Sequence, residues 1–380
     1  MTHFILVDST KSGPGPALFK KIQEYNLIPV ILTNNQEEFD WLSGDHVIID
    51  IDYDADSMYK RICSFLPKCL ISGIATTKDE CILLTCELAD KFGLPSPNKK
   101  IISICSNKLS QKQYFEKHCI PSSRFSILSE FLNNKNDLQD SWQFPVILKP
   151  LQGVSSSGLF ICHNKERLVD ICNSSEISIS NYLIEEYVDG PEYSAELFDG
   201  IFIGLIEKRL SSIVDFSEEG YIANPVLDPD TLKKVIDVTQ TLCRKMELTW
   251  GPIHIDLRIN KHDIKIIEVN PRIAGSFICE MIGDCYNFSI VESLLKKSIS
   301  EKVDCQSDLN TEISAVVDFV FLPTSSLVTK LFNHKCFTGL EHDCINLRLG
   351  EREWNPKKRV SYIYSIFPKK TLIGYHDNDC

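Results

Sequence analysis

The stretch that most constrains the fold of this chain is residues 264–276, which read IKIIEVNPRIAGS. Successive side chains of an extended backbone point to opposite faces, so Glu268, Asn270 and Arg272 are predicted to share one face, with apolar residues on the other. We therefore expect a strand that is buried on one face and ends on a carboxylate, an amide and a guanidinium.

A second acidic residue, Asp256, lies in the apolar run PIHIDLRI just upstream. Residues 260–263 form a predicted turn, which would lay the two runs antiparallel and bring Asp256 beside Glu268. Two carboxylates and the amide oxygen of Asn270 make an oxygen-only ligand set, which suits Mg²⁺ when substrate phosphates fill its remaining positions. The alternative is structural: Glu268 and Arg272 would form an ion pair, and Asn270 would only set a turn.

A candidate phosphate-binding loop, LQGVSSSG, follows the apolar run QFPVILKP, in which Lys149 is the last residue but one. The loop is small and flexible, and its backbone N–H groups can lie against phosphates. Gly153 and Gly158 have the spacing of a Walker A motif, but Leu159 and Phe160 stand where its lysine and hydroxyl residue belong. A P-loop nucleotide hydrolase is therefore not expected.

The segment NYLIEEYVDGPEYSAEL is predicted to form two strands joined by an acidic linker. An adenine needs an acceptor for its amino group, backbone N–H and C=O groups and apolar walls, and a ribose needs a carboxylate. The first set is assigned to Glu185, Glu186, Tyr187 and Val188, and the ribose to Glu192. An exposed acidic hinge is the alternative.

Five motifs in order carry a family resemblance: SNK ending at Lys108, VILKP, SSSG, EEYVDGPE and IEVNPR. Their order and spacing resemble the ATP-grasp superfamily, and within it the carboxylate–amine ligases of the L-amino-acid (dipeptide) ligase type. ELADKFGLPSPN followed by CSNK, and KRLSSIVDFSEEGYIANP, extend the resemblance, which runs from the N-terminal strand to at least Leu295.

The resemblance implies that ATP, with Mg²⁺ or alternatively Mn²⁺, activates a carboxylate as an acyl phosphate. An amine then attacks to give an amide, ADP and phosphate. Lys108 and Lys149 would hold the α- and β-phosphates. The metal would be held by Asp256, Glu268 and Asn270.

The same resemblance implies roles for further charged residues. The lid loop over the γ-phosphate would comprise Ser155, Ser156, Ser157 and Gly158. Arg272 would face the acyl phosphate or the oxyanion, where charge develops in the transition state. Lys208 is a second candidate for the γ-phosphate, with a surface lysine as the alternative. His254 lies on the same strand face as Asp256, so it either lines the site or is a structural histidine.

The substrate end departs from the best-known dipeptide ligases. After the Ala-Gly pair that ends at Gly275, those ligases can carry a bulky aromatic residue, and this chain has Ser276. Tyr221 stands where they can carry a histidine, which leaves Glu218 as the charged partner for an ammonium group. We expect a substrate side chain larger than alanine.

Composition predicts a cytoplasmic enzyme. The net charge of −12 disfavours nucleic acid as a partner, because phosphates require a basic face. The 15 cysteines include no C-x-x-C pair, so neither a disulfide framework nor a zinc site is expected. No signal peptide or membrane-spanning stretch is predicted. The expected partners are ATP and small-molecule carboxylate and amine substrates, with no membrane partner and with a homodimer left open.

The predicted fold is α/β, an ATP-grasp fold in three parts. Strand and helix patterns alternate through residues 1–100, which are predicted to form a Rossmann-like domain with a doubly wound parallel sheet. Its loop TKSGPGP lacks the third glycine of a dinucleotide fingerprint, so a structural or substrate-side turn is favoured. Residues 101–189 would form linking helices and a small lid, and residues 190–380 a larger antiparallel lobe with the metal and substrate sites.

Three functional classes remain open at this stage. The first is an ATP-dependent ligase that joins an amino acid to an amine. The second is an ATP-grasp enzyme that activates formate or bicarbonate in purine or biotin-type metabolism. The third is a non-catalytic ATP-binding module, which would not need Arg272 together with both metal carboxylates.

Overall fold

Three β-sheets organise the described part of the chain. The structure is a computed structural model that describes residues 2–39, 41–133, 142–151, 158–174, 177–210, 218–261, 263–320, 346–355 and 358–374. The predicted α/β architecture, with an N-terminal parallel sheet and a large antiparallel lobe, is confirmed, and a smaller antiparallel sheet lies between them in the chain.

The first sheet is parallel throughout and has the strand order β3-β2-β1-β4. Its strands are β1 (His3–Val7), β2 (Ile28–Leu32), β3 (Val47–Ile49) and β4 (Ile71–Ala75). Its helices are α1 (Pro14–Glu24), α2 (Ala55–Phe65) and α3 (Ile82–Phe92). All five residues of β1 are buried, as expected of a parallel strand covered on both faces.

A second sheet, antiparallel, has the order β5-β8-β6-β7. Its strands are β5 (Phe125–Ile127), β6 (Val146–Pro150), β7 (Phe160–Cys162) and β8 (Tyr182–Glu186). The helices before and between them are α4 (Lys99–Cys105), α5 (Lys108–Lys117), α6 (Leu128–Asn133) and α7 (Lys165–Asn173). We call this the lid sheet; α6 and α7 share its core.

The third sheet is the largest, with the order β13-β12-β9-β10-β11-β14-β16-β15 and every pairing antiparallel. Its first strands are β9 (Glu192–Phe198), β10 (Ile201–Leu210), β11 (Glu218–Ala223), β12 (Pro252–Asn260) and β13 (Asp263–Asn270). The later strands are β14 (Ile313–Val320), β15 (Asn346–Asn355) and β16 (Lys358–Pro368). Three helices complete this part: α8 (Pro229–Met246), α9 (Ile278–Tyr286) and α10 (Ile290–Ser298).

Helix α8 covers one face of the large sheet and so decides which side chains of β12 are free for chemistry. Asp228 caps the helix by accepting from the backbone N–H of Thr231, and proline occupies the first helical position. Ile253, Ile255 and Leu257 are fully buried in the core that α8 shares with the sheet. The alternate residues of β12 therefore point to the opposite, polar face.

The N-terminal sheet packs onto the large lobe through α1. Leu18 and Ile22 of that helix belong to one hydrophobic cluster with Leu294 and Leu295 of α10. This packing holds the loops of the first sheet beside the end of β13.

The described part of the tail joins the large sheet as β14, β15 and β16. Within the described ranges, the structure has no helix with the length and apolar character needed to cross a membrane.

Candidate active site

The predicted hairpin is present and sets the register of the site. Asn260 pairs with Asp263 at the turn, and Asp256 of β12 pairs with Glu268 of β13. His254 is opposite Asn270, so the predicted metal ligands occupy neighbouring positions on two paired strands.

The strand that carries Glu268 and Asn270 ends before Arg272, earlier than the sequence predicted. β13 stops at Asn270, and the N–H of Arg272 donates to the Asn270 carbonyl at 2.8 Å, which forms a turn. Pro271 has no N–H with which to extend the ladder. Arg272 therefore does not continue the alternation of Glu268 and Asn270.

The guanidinium of Arg272 forms an ion pair with Asp79, in a short 3-10 helix that follows β4. Burial alone would lower its pKa, but Asp79, and then Asp256 and Glu268, outweigh this and raise it. The ion pair of Arg272 is thus with the segment that follows the N-terminal sheet, and Arg272 itself follows the end of β13 by two residues. Sequence reasoning missed Asp79.

Lys208 is buried in the site and is not a surface lysine. Its Nζ contacts the Asp256 carboxylate and lies 3.7 Å from Glu192 Oε1. Burial would lower its pKa, but Asp256 and Glu192 outweigh burial and raise it above its ordinary value. Lys208 therefore carries its charge beside Asp256.

His254 bridges two carboxylates. Its Nδ1 lies 2.6 Å from Glu196 Oε1, and its Nε2 lies 3.2 Å from Asp256 Oδ1. Burial opposes the charged form, but Glu196 and Asp256 raise the pKa of His254 to about 9. Burial raises the pKa of Asp256, yet Lys208 and His254 lower it overall. Asp256 is thus ionised and held from two sides.

Lys108 reaches the hairpin from α5. The Asn107 side chain caps this helix by accepting from Ser110 N at 2.9 Å, which makes Lys108 its first residue. Its Nζ lies 3.5 Å from Glu268 Oε1. Each of the two paired carboxylates therefore has a lysine beside it.

Glu185, assigned above to adenine, lies in a buried ion cluster. Its Oε2 is 2.9 Å from Lys112 Nζ and 3.4 Å from Lys149 Nζ, and accepts from Ser123 Oγ at 2.7 Å. Burial would raise its pKa, but the two lysines lower it to about 2. Burial is also the main reason that the pKa of Lys112 is lowered. Lys112 was missed, although it follows Lys108 by four residues on one helix face.

The other residues predicted to bind the nucleotide lie in or next to the linker between the lid and large sheets. Tyr187 N–H donates to the Pro145 carbonyl at 3.2 Å, and Glu192 begins β9. Glu186 Oε1 lies 4.0 Å from Arg124 Nη1. Val188 lies in the linker between Tyr187 and Glu192. Ser155, Ser156 and Ser157 lie outside the described residues.

At the substrate end, Tyr221 donates to Glu218 Oε2 at 2.5 Å and also interacts with the Ser276 side chain. Burial, and then Glu218, raise the pKa of Tyr221 well above its ordinary value. Gly275 directly precedes Ser276. The backbone of Gly13 approaches Ser276 so closely that a Cβ on Gly13 would lie 2.7 Å from the Ser276 carbonyl oxygen. Glu218, Tyr221 and Ser276 thus come together, and the N-terminal loop, for which a structural or substrate-side turn was expected, lies against Ser276.

That N-terminal loop has the character of a structural turn. In the first turn of α1, Pro14 and Pro16 have no N–H. The N–H of Gly15 donates to Thr10 Oγ1 at 3.1 Å, and the N–H of Ala17 donates to the Gly13 carbonyl at 3.4 Å. The helix start is therefore not available to a dinucleotide phosphate.

The donor set fits a magnesium ion that arrives with a nucleotide. The described residues include no cluster of three histidine, cysteine, aspartate or glutamate side chains able to hold a metal alone. Asp256, Glu268 and Asn270 would offer three oxygen ligands, which would leave positions for phosphate oxygens. Lys208 and Lys108 balance the carboxylates.

Comparison with known proteins agrees with this geometry. Residues 142–280, from the lid sheet to the start of α9, match the ATP-grasp domain family. The chain contains an ATP-grasp domain. The match includes the three predicted metal ligands.

Sequence relatives of this chain include an L-arginine-specific L-amino acid ligase of Bacillus subtilis, 24% identical over 79% of this chain and 76% of the relative. A D-alanine–D-alanine ligase of Bacillus anthracis is 23% identical over 48% of this chain and 62% of the relative. Among solved structures, an L-amino acid ligase from Bacillus licheniformis superposes with a TM-score of 0.76 at 15% identity, covering 99% of this chain and 96% of that one. N5-carboxyaminoimidazole synthetase from Staphylococcus aureus, complexed with ADP, gives 0.72 at 14%, covering 99% and 96%. At these identities the superpositions show the shared fold.

Proposed function

We propose that this protein is an ATP-dependent ligase that activates a carboxylate, from an amino acid, as an acyl phosphate and joins it to an amine. The observation that carries the proposal is the pairing of Asp256 with Glu268 across two strands. Lys208 contacts one carboxylate, and Lys108 lies 3.5 Å from the other. This arrangement suits a nucleotide triphosphate bound as its magnesium complex.

The nucleotide would span the lid and large sheets. Lys108 and Lys149 would bind phosphate oxygens, Glu185 to Val188 would bind adenine, and Glu192 would bind the ribose. Mg²⁺, held by Asp256, Glu268 and Asn270, would neutralise charge on the phosphates when bound. Lys208 is the side chain best placed to follow the γ-phosphate, because it is buried beside Asp256.

In the reaction, a carboxylate oxygen attacks the γ-phosphorus and ADP leaves. The amine nitrogen then attacks the acyl carbon, and the C–O bond breaks to release phosphate. Arg272, two residues beyond the metal-ligand candidate Asn270, would stabilise the oxyanion.

An amino acid is the favoured substrate class. Glu218, Tyr221 and Ser276 form a small polar group that can receive an ammonium ion, and the relatives named as L-amino acid ligase and D-alanine–D-alanine ligase act on amino acids by name. Formate or bicarbonate activation is the alternative, supported by the fold shared with N5-carboxyaminoimidazole synthetase.

The test is a phosphate-release screen across pairs of amino acids with ATP and Mg²⁺, with mass detection of products. Glu268→Gln should lower turnover by about 10²–10³-fold, as removal of one transition-state stabiliser does elsewhere. Glu301→Gln, at an exposed position after α10, is the matched control and should match wild type. Normal magnesium-dependent turnover by Glu268→Gln would refute the metal assignment.

A further inference from the structure

Arg258 lies on the polar face of β12, two residues beyond Asp256, and the chemistry above gives it no role. Its side chain is buried, with 6% of the residue exposed. Nε and Nη2 donate to Glu192 Oε2 at 3.1 and 3.0 Å. Nη1 donates to the Tyr187 hydroxyl at 2.7 Å and to the Val188 carbonyl at 3.1 Å. One guanidinium thus contacts both ends of the linker between β8 and β9.

The linker backbone is fixed to the same part of β12. Ile259 N–H donates to the Pro191 carbonyl at 3.2 Å. Gly190 has φ +103°, and a Cβ there would lie 2.2 Å from the Ile259 carbonyl oxygen. The backbone contacts set where the linker lies, which leaves Arg258 to hold its side chains.

Arginine suits this position for a geometric reason. Its planar group can donate in a fork to one carboxylate and still reach two further acceptors, whereas a lysine ammonium acts as a point charge. The guanidinium also lies over the Tyr187 ring, 4.9 Å from its centre. Arg258 therefore fixes one oxygen of Glu192, while the other lies 3.7 Å from Lys208.

We propose that Arg258 is a positioning residue that holds the Glu192 carboxylate for the ribose hydroxyls and holds the linker on which the lid sheet is carried. The inference rests on the proposed function, because it takes Glu192 as the ribose ligand. It adds a residue that touches no substrate yet determines how well ATP is distinguished from its deoxy analogues.

The experiment measures binding of ATP, 2′-deoxy-ATP and 3′-deoxy-ATP, each with Mg²⁺, by calorimetry. A hydrogen bond to a charged group corresponds to roughly 10- to 100-fold in affinity, so wild type should prefer ATP over the analogue that lacks the contacted hydroxyl by about that factor. Arg258→Lys keeps the charge but loses the fork, and the preference should fall below about threefold. Arg244→Lys, at an exposed position on α8, is the control and should keep the wild-type ratio.

A second variant separates the two parts of the proposal. Tyr187→Phe removes one acceptor of Arg258 and leaves both contacts to Glu192. Amide exchange in residues 187–190 should become several-fold faster, with the ATP preference retained. This variant also keeps the test open if Arg258→Lys folds poorly.

An Arg258→Lys variant that is folded and keeps the wild-type preference would overturn the inference, as would unchanged exchange in Tyr187→Phe or a wild type that does not discriminate. Because binding is measured without turnover, the result is independent of whether any amino-acid pair is ligated. A wild type that binds ATP but forms no amide would contradict the proposed function alone.

Discussion

Replacing Glu185 by glutamine removes the one carboxylate shared by Lys112, Lys149 and Ser123. The pKa of Glu185 is lowered from 4.5 to about 2. At about 1.36 kcal/mol per pKa unit, ionised Glu185 contributes about 3 kcal/mol to stability near neutral pH. A folded pKa below the unfolded one means that this contribution is full above about pH 4.5 and is lost as the pH falls toward 2.

Glu185→Gln would also leave Lys112, whose side chain is 3% exposed, without its anion. Breaking a buried pair by removing one partner costs about 3–5 kcal/mol, whereas removing both partners costs less. We expect Glu185→Gln to destabilise the lid sheet by about 3 kcal/mol and Glu185→Gln/Lys112→Met to recover part of that loss.

Hydrogen exchange of the β6 and β8 amides at pH 7 measures this locally. A loss of about 3 kcal/mol corresponds to exchange roughly 100- to 200-fold faster. Glu116→Gln, exposed on α5, is the matched control and should exchange as wild type does. Wild-type exchange in Glu185→Gln, or a double variant no more protected than the single one, would refute the reasoning.

Three further predictions concern the active site. His254, with its pKa raised to about 9, should stay protonated between pH 6 and 8 in NMR spectra. Its contribution to stability should be full below about pH 6.5 and lost as the pH rises through about 9. Titration of His254 near pH 6.5 would contradict its bridge between Glu196 and Asp256. Asp79→Asn leaves Arg272 without its carboxylate and should lower the free energy of unfolding by about 1–3 kcal/mol in urea, so an unchanged midpoint would show that the ion pair is dispensable. Ser276→Leu should shift the preference toward small amino acids by roughly 10-fold or more in kcat/KM, and an unchanged substrate ranking would remove Ser276 from the pocket.

The hairpin that carries Asp256 and Glu268 could be predicted because its signals are local. Alternating polarity fixes which side chains share a face, and a short turn fixes the register of two adjacent strands. The N-terminal parallel sheet was predictable for the same reason, since its strands and helices alternate in simple order.

Contacts between separate parts of the chain could not be predicted in this way. Arg272 and Asp79 are 193 residues apart and meet where the N-terminal sheet packs against the large lobe. The burial of Lys208 depends on the pairing of β10 with β9, which places it opposite Glu192. No local pattern encodes these contacts.

The central claim is that the site transfers phosphate from ATP to a carboxylate oxygen. Once the screen identifies a substrate, the most direct test is to label its carboxylate with ¹⁸O and to analyse the released phosphate by mass spectrometry. An acyl phosphate intermediate moves one carboxylate oxygen to phosphorus, so we expect one ¹⁸O in each phosphate, with ADP as the other product. Unlabelled phosphate, or AMP with pyrophosphate, would contradict the account.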